Sequence, residues 1–554
     1  MAQRAASQAK KMRLSRLQIQ LLIIALGAIF FIPGLGAVHL FDWDEINFAE
    51  AAREMIATGN YSVVQINYQP FWEKPPLFFW MQVISMKLFG VNEFAARFPN
   101  ALCGIITLLV LFRIGAKHFS EKYGIIWSLV YLGSLLPHFY FKSGIIDPWF
   151  NLFIFLGIYY MFRYSEEEKQ INFVFLSGAF IGLGILTKGP VALLIAMLVY
   201  GVYTIVTKFK NFIKPLHLLV FILSFSLVGG SWFIIEILNG RIEIVQQFIE
   251  YQIRLFQTED AGHGGPFYYH FIVLLLGCFP ASIFAIHAHF VKSNFWISQI
   301  SLKIWMLILF WVVLVLFSIV NTKIVHYSSM CYFPLTFLAS YSIYHFIKTD
   351  TNIKKWISFS LLGILIVLGI LTASFPFIDA NKQAIIESGI IKDVFAQENL
   401  RAKVSWSYLY ALPSLVFVIL GSTILIYFRK NAQRFTLSLF MLSAIFLAST
   451  SMLIVPKIEP YSQGAAIEFY QSKANEDCYI TTYGFKSYAH LFYARKRPNY
   501  TTPHYDQNWL YNGDVDKPVY VVAKIQHLSE IENNYPQLDF MYKKNGFLFY
   551  KRAD

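Results

Sequence analysis

Between residues 41 and 55 the chain reads FDWDEINFAEAAREM, which puts Asp42, Asp44 and Glu45 directly after the apolar stretch LLIIALGAIFFIPGLGAVHL. Carboxylates at such a spot can take a proton, orient a nucleophile or bind a cation. Further along, PFWEKPPLFFW sets Glu73 beside Lys74, IIDPWF carries Asp147, LTKGP carries Lys188, and NTKIVHY carries Lys323, His326 and Tyr327. The stretch EDAGHGGPFYYH adds Glu259, Asp260 and His263, with Arg254 just before it. Several lysines on one side of a membrane describe a seat for a lipid phosphate, because an ammonium binds phosphate as a point charge whereas arginine clamps it bidentately. Arg254 is a weaker member of that set. His263 with Glu73 could hold one divalent cation, although a lone loop histidine is more often no ligand.

Each of these residues also has a plain structural reading. Asp42 and Glu45 make a D-x-x-E capping pair, Glu73 and Lys74 could be a surface ion pair, and a lysine at a membrane end often just snorkels. One acid suffices for the cap. The second, Asp44, placed against hydrocarbon, points to function.

These groups must be positioned by a chain that is 56% hydrophobic and only 14% charged, with a mean hydropathy of +0.50. Soluble proteins carry about 25% charged residues, and apolar runs near the 20 residues needed to cross a bilayer recur here. The composition therefore describes an all-α polytopic membrane protein. The short alternating segments of a transmembrane β-barrel are missing. About thirteen spans are expected, the first near 17–38 and the last near 435–454, with others near 122–140, 215–236 and 267–288. Residues 75–89 are too short and interrupted to cross, and read as an interfacial helix. Residues 44–58 read as an amphipathic helix on the outer surface, stopped by Gly59.

The 46 basic residues outnumber the 33 acidic ones. Seven short segments, assigned to the cytoplasmic side by counting from a basic N-terminus, hold 21 of the 46, as the positive-inside rule requires. An uncleaved signal anchor with a cytoplasmic N-terminus and an odd number of spans puts the C-terminus outside. No nucleic-acid-binding module accompanies the charge, so membrane lipids and not nucleic acid are the expected partners. Four cysteines without paired spacing exclude a disulfide framework and a zinc site. The absence of an internal repeat weighs against an inverted-repeat transporter.

Residues 1–455 then form a transmembrane domain with an outer loop at 41–96, and residues 456–554 a small soluble α/β domain on the outer side. In the latter, DCYITTYG and VYVVAK read as strands, AAIEFYQSKA and SEIENNYP as helices, and LDFMYKKNGFLFYKR as a hairpin turning on Asn545-Gly546.

The same stretches resemble a known family. A DE pair beyond the first span, followed by A-REM, FWEKPPLFFW, KLFGVNEFAARFPNAL, IIDPWF, LTKGP and GHGGPFYY, is similar to the GT-C membrane glycosyltransferases. The nearest branch holds the aminoarabinose transferases of lipid A and the bacterial relatives of protein O-mannosyltransferases. The most specific motifs lie in the first 190 residues.

The resemblance implies an enzyme of the bacterial inner membrane that moves a sugar, with inversion, from a polyprenyl phosphate to a periplasmic acceptor. It implies catalytic roles for Asp44, with Glu45 beside it, and for Asp147. Glu73, Lys74, Lys188 and Tyr327 match positions associated with the phosphate or its metal, and His263 matches a metal ligand; no organic cofactor is implied. The sugar would be 4-amino-4-deoxy-L-arabinose and the acceptor lipid A. Protein or another envelope glycan is an alternative acceptor, and a non-enzymatic carrier of the lipid-linked sugar a more distant reading. Asn47 stands where the aminoarabinose transferases commonly have arginine, Phe71 where they have tyrosine, and TKIVHY replaces their lysine-leucine-proline run. These departures leave sugar and acceptor open and touch the reaction type less.

Phosphate is a good leaving group because it departs as a stable anion, so prearranged positive charge is what the reaction needs most. Lys74, Lys188 and Lys323, with Tyr327 as a hydrogen-bond donor, fit that need. Asp44 would orient the acceptor and take its proton where the acceptor is a hydroxyl.

Overall fold

A computed structural model describes residues 14–167, 169–257, 264–292, 296–498 and 505–552. The chain is mostly helical, with a small C-terminal sheet. Every expected span carries helix, but several are shorter or broken. By length and composition, six helices among the described residues could cross a membrane, or up to eight if two sharply bent pairs each count as one.

The breaks have local causes. The first helix, Arg16–Phe31, ends just before Pro33, which cannot continue the backbone ladder. The expected 215–236 span divides at Gly230 into Pro215–Gly229 and Ser231–Leu238, bent by 54°. The expected 267–288 span folds back by 111° between Tyr269–Gly277 and Ala281–Phe290, where Pro280 interrupts it. The 122–140 span likewise splits into Glu121–Leu132 and Leu135–Tyr140, and the Leu135 N–H donates to the Phe279 carbonyl at 3.0 Å.

The helix Asp44–Thr58 corrects the sequence reading more deeply. It is not a surface helix: residues 45–55 are all buried. Its polar face is satisfied by protein instead of water. Arg53 donates twice to Glu50, each at 2.6 Å, and Glu54 accepts the N–H groups of Asn67 and Tyr68 at 2.6 and 2.7 Å. Those two residues, at φ 57° and 58°, turn a small hairpin of β1 (Gln65–Ile66) and β2 (Gln69–Pro70). Leu77–Phe89, the expected interfacial helix, buries Phe78, Phe79 and Val83 and leaves Ile84 and Leu88 exposed.

The C-terminal segment folds as expected from its strands and helices. Its sheet runs β3 (Tyr479–Tyr483), β4 (Val519–Lys524), β6 (Phe547–Arg552), β5 (Leu538–Lys544), with β3 and β4 parallel and the remaining pairs antiparallel. One face, including Tyr479, Val521, Leu548 and Tyr550, closes a core of its own. The alternate residues, among them Ile480, Val522 and Phe549, share a core with Ile46, Phe48, Met55 and Phe78 of the outer loop. The segment is thus not sealed off from the loop at 41–96, because half of its sheet is completed by it. Leu40 N–H to Tyr493 Oη, at 2.7 Å, and Tyr68 Oη to the Lys496 carbonyl, at 2.5 Å, tie the two together.

The expected D-x-x-E cap is also replaced. Trp43 occupies the cap position without a side-chain bond, and Glu45 turns inward. It is buried and pairs with Arg97, whose Nε and Nη2 donate to its two oxygens at 3.0 and 2.8 Å. Arg97 also donates to the carbonyls of Leu35, Val38 and His39 at 2.7–2.9 Å. Glu45 further accepts the N–H groups of Phe41, at 3.0 Å, and Gly144. The Arg97 guanidinium and these N–H groups outweigh burial and hold the Glu45 carboxyl below its ordinary value. Removing one partner of a buried pair costs about 3–5 kcal/mol, because the other charge is stranded. Arg97→Met is therefore expected to lower the Tm of the purified protein steeply, and a melting curve matching the wild type would show that the pair does not hold the fold.

Candidate functional site

The residues singled out in the sequence fall into three groups in space. One group converges. Asp147 begins the helix Asp147–Glu166, and Lys188 ends the helix Ile171–Lys188. Their side chains meet at 2.6 Å, with Asp147 almost wholly buried. Lys188 can stop there because Gly189 takes φ 104°, a conformation open to glycine, before Pro190 starts the next helix. Lys188 also lies over the Tyr327 ring at 5.5 Å.

His326 stands in the 3-10 turn Val325–Cys331, with Nε2 3.6 Å from Asp44 Oδ2, too long for a strong hydrogen bond. Its imidazole senses Asp147, Lys188, Asp44 and Lys74 together. Burial holds it below its ordinary value; Asp147 and Asp44 pull upward, while Lys188 and Lys74 push down. Lys74 sits 3.8 Å from Glu73 and over the Tyr251 ring at 5.1 Å, and the Tyr251 hydroxyl donates to Glu73 at 3.1 Å. Asp44, Asp147, Lys188, Lys74, Glu73 and Tyr327 thus belong to one neighbourhood around His326.

A second group is positioned near this neighbourhood but is occupied otherwise. Glu45, expected beside Asp44 in catalysis, spends both oxygens on Arg97 and backbone N–H groups. Lys323, expected at the phosphate, is buried and donates to the carbonyls of Phe317, Ser318 and Val320, closing the end of the helix Ile297–Ile319. An ammonium held by three carbonyls is a helix cap. Gly265 packs against it, and a Cβ there would meet the Lys323 Cγ at 2.9 Å, which explains that glycine of the GHGGPFYY run.

The third group lies at the edge. Arg254 is exposed on the helix Ile242–Gln257 and stacks over Tyr251 at 5.3 Å. His263, with Glu259 and Asp260, lies outside the described residues. Among the described residues no three His, Cys, Asp or Glu side chains converge as a metal set would, and Glu73 faces Tyr251 and Lys74.

Two contributions were not read from the sequence. Tyr251, which joins Glu73 and Lys74, sits on a strongly amphipathic helix whose apolar stripe gave its only signal. The C-terminal segment reaches the site as well. Lys486 lies over the Trp43 ring at 5.0 Å, and Trp43 packs 5.6 Å from Tyr488. Nothing in the order of the sequence announces that approach.

Residues 73–232 match the dolichyl-phosphate-mannose-protein mannosyltransferase family. Along 97% of its length the chain superposes on 99% of the crystal structure of ArnT from Cupriavidus metallidurans bound to undecaprenyl phosphate, with a TM-score of 0.76 and 17% identity. The fold is that of ArnT. In sequence, 60% of the chain is 27% identical to 60% of a Wigglesworthia glossinidia brevipalpis protein named undecaprenyl phosphate-alpha-4-amino-4-deoxy-L-arabinose arabinosyl transferase. A Pectobacterium carotovorum protein of the same name is 26% identical over 74% of the chain and 77% of its own length. The chain thus resembles the ArnT-like GT-C glycosyltransferases, as its motifs implied, while spanning about three fifths of the Wigglesworthia relative.

The Asp147–Lys188 pair separates positioning from chemistry. Lys188→Ala strands a buried carboxylate, so it should lower both stability and turnover, and Lys188→Arg should lose less. Pairing Lys188→Met with Asp147→Asn removes both charges and should restore the Tm without restoring turnover. Recovery of full turnover by the double variant would remove both residues from the reaction.

Proposed function

We propose that the chain is an inverting glycosyltransferase that moves 4-amino-4-deoxy-L-arabinose from undecaprenyl phosphate to lipid A on the periplasmic side of the inner membrane. The observation that carries this reading is the convergence of Asp44, the Asp147–Lys188 pair, Lys74 and Tyr327 around His326. The names of the relatives in Wigglesworthia and Pectobacterium support the sugar and the carrier lipid.

In this reading an acceptor oxygen forms a bond to the anomeric carbon as the bond from that carbon to the phosphate oxygen breaks. The electron pair leaves with the phosphate. Lys74 and Lys188 receive the growing charge, and Tyr327 donates a hydrogen bond. Fixed cations in a site partly closed to water are worth more than the same cations in solution, and they need no reorganisation when the charge develops. Asp147 has one oxygen on Lys188, while its Oδ2 is buried without a hydrogen-bond partner among the described residues. That oxygen suits a hydroxyl or amine of the donor sugar. Asp44, less buried and 3.6 Å from His326, orients the acceptor and takes its proton where the acceptor is a hydroxyl. Glu45 and Lys323 act only by holding the backbone.

A divalent cation at Glu73 and His263 would add charge near the phosphate; no step above is routed through it, because Glu73 already has Lys74 and Tyr251. The departures at Asn47 and Phe71 keep protein or another envelope glycan as the second acceptor.

Mass spectrometry of lipid A tests the acceptor directly. A sugar-sized mass present in the wild type and lost in both a deletion strain and Asp44→Asn supports the assignment. Unchanged lipid A in all three would exclude it as the acceptor. In a purified assay with a hydroxyl acceptor, loss of the base at Asp44 should cost about 10²–10⁴-fold in turnover.

The topology proposal is that some thirteen spans place the N-terminus in the cytoplasm and the C-terminal sheet in the periplasm, as a positive-inside chain with an odd span number requires. Alkaline phosphatase fused after residue 554 should be active in whole cells, and an inactive, well-expressed fusion would invert the orientation.

A further inference from the structure

The C-terminal segment contains a polar cavity of about 550 Å³ that the reaction described above does not use. It opens beside the loop that follows β3, the first strand of the parallel pair β3–β4. Ligands in open α/β sheets favour the carboxyl ends of parallel strands. The lining mixes amides, hydroxyls and aromatic rings, including Asn67, Ser487, Tyr488 and Gln507, with the charged groups Lys486 and Lys496 and no carboxylate among the described lining residues. Amides, hydroxyls and flat rings are the groups that hold a sugar, and the exposed Lys486 ammonium adds a seat for an anion, whereas Lys496 already lies in the field of the buried Glu54 and Glu50. The volume lies within the usual range for a small-molecule site.

The position of the cavity is what gives it a role. Lys486, Ser487 and Tyr488 form part of its wall and also touch the residues just before Asp44. Lys486 lies over Trp43 at 5.0 Å and over Tyr488 at 5.6 Å, the Trp43 and Tyr488 rings are 5.6 Å apart, and the Asp42 carboxyl is hydrogen-bonded by Ser487. Lys496, which also lines the cavity, donates from Nζ to Asn67 Oδ1 of the 65–70 hairpin at 2.9 Å. The lining therefore joins that hairpin to the loop packed on Trp43.

We propose that this cavity seats the acceptor, an anionic glycan whose phosphate or carboxylate is held by Lys486 and whose reacting oxygen is presented past Trp43 to Asp44. The assignment rests on the transferase reading for its role, but the site itself can be tested without turnover. The class of acceptor follows from the lining: a charged sugar, in contrast to a neutral glycan or an unmodified polypeptide.

Saturation-transfer NMR on the full chain in nanodiscs, with glucosamine 1-phosphate, glucosamine and inorganic phosphate as probes, reads the site directly. Signal on the sugar protons of glucosamine 1-phosphate is expected. It should be lost in Lys486→Gln and kept in Lys486→Arg, with glucosamine giving little signal and inorganic phosphate competing only weakly. No signal with the wild type, equal signal in Lys486→Gln, or competition by inorganic phosphate as strong as by the sugar phosphate would each overturn the proposal. A second arm measures transfer. Lys486→Gln should raise the acceptor KM about tenfold, the loss expected for one charge-assisted hydrogen bond, while the donor KM stays at the wild-type value. A change confined to the donor KM would overturn it. Comparing a deacylated with a membrane-anchored acceptor shows whether the seat takes a free or a lipid-borne glycan, since only the former reacts without a bilayer. If the wild type transfers nothing while the NMR signal behaves as stated, the transferase reading fails and the glycan site stands.

Discussion

The Arg97–Glu45 pair is the contact on which the placement of the site depends. Glu45 is one residue from Asp44 and accepts the N–H of Gly144, three residues before Asp147. Arg97 at the same time gathers the carbonyls of Leu35, Val38 and His39 at the end of the first apolar run. Asn100, one helical turn from Arg97, donates to the carbonyls of Ser143 and Ile145 at 2.6 Å and fixes the same turn. One buried ion pair and one amide therefore lock together the chain leaving the first span, the start of the Asp44–Thr58 helix and the start of the Asp147–Glu166 helix. A buried pair is a poor source of net stability, but it strongly penalises any arrangement that separates its partners. Here it fixes the two acids that face the cleft.

The lysines divide along the same line. Lys323 is consumed by the backbone carbonyls around it, whereas Lys188 is held at its tip by a single carboxylate oxygen and lies over an aromatic ring. The first arrangement satisfies the ammonium fully. The second spends one N–H group on the Asp147 carboxylate. The distinction follows from donor count, since an ammonium has three N–H groups to place.

Much of this was legible beforehand. The helix at 44–58, the strands and hairpin of the C-terminal segment and the turn at Lys188-Gly189 could all be read from spacing, glycine and hydropathy. The burial of the 44–58 helix could not. Glu50, Arg53 and Glu54 look like a solvated face because a sequence does not reveal that charges are paired with each other or with a distant hairpin. For the same reason Glu45 and Asp44 read alike, though Glu45 is the one spent on Arg97 and backbone N–H groups. Hydropathy placed the spans but not their bends, which arise at Gly229-Gly230 and at Pro280 inside otherwise continuous apolar runs.

The core shared between the first outer loop and the last strands bears on how the molecule is made. During synthesis the 44–58 helix leaves the ribosome about 500 residues ahead of Phe547 and Phe549, which pack in its core. Until those strands arrive, one side of that helix and of the residues flanking Asp44 has nothing to pack against. A chain that stops between Tyr327 and β6 carries Asp44, Lys74, Asp147, Lys188 and Tyr327 and still lacks Phe547 and Phe549 in that core. The packing around the 44–58 helix is thus finished by strands that lie about 500 residues further along the chain.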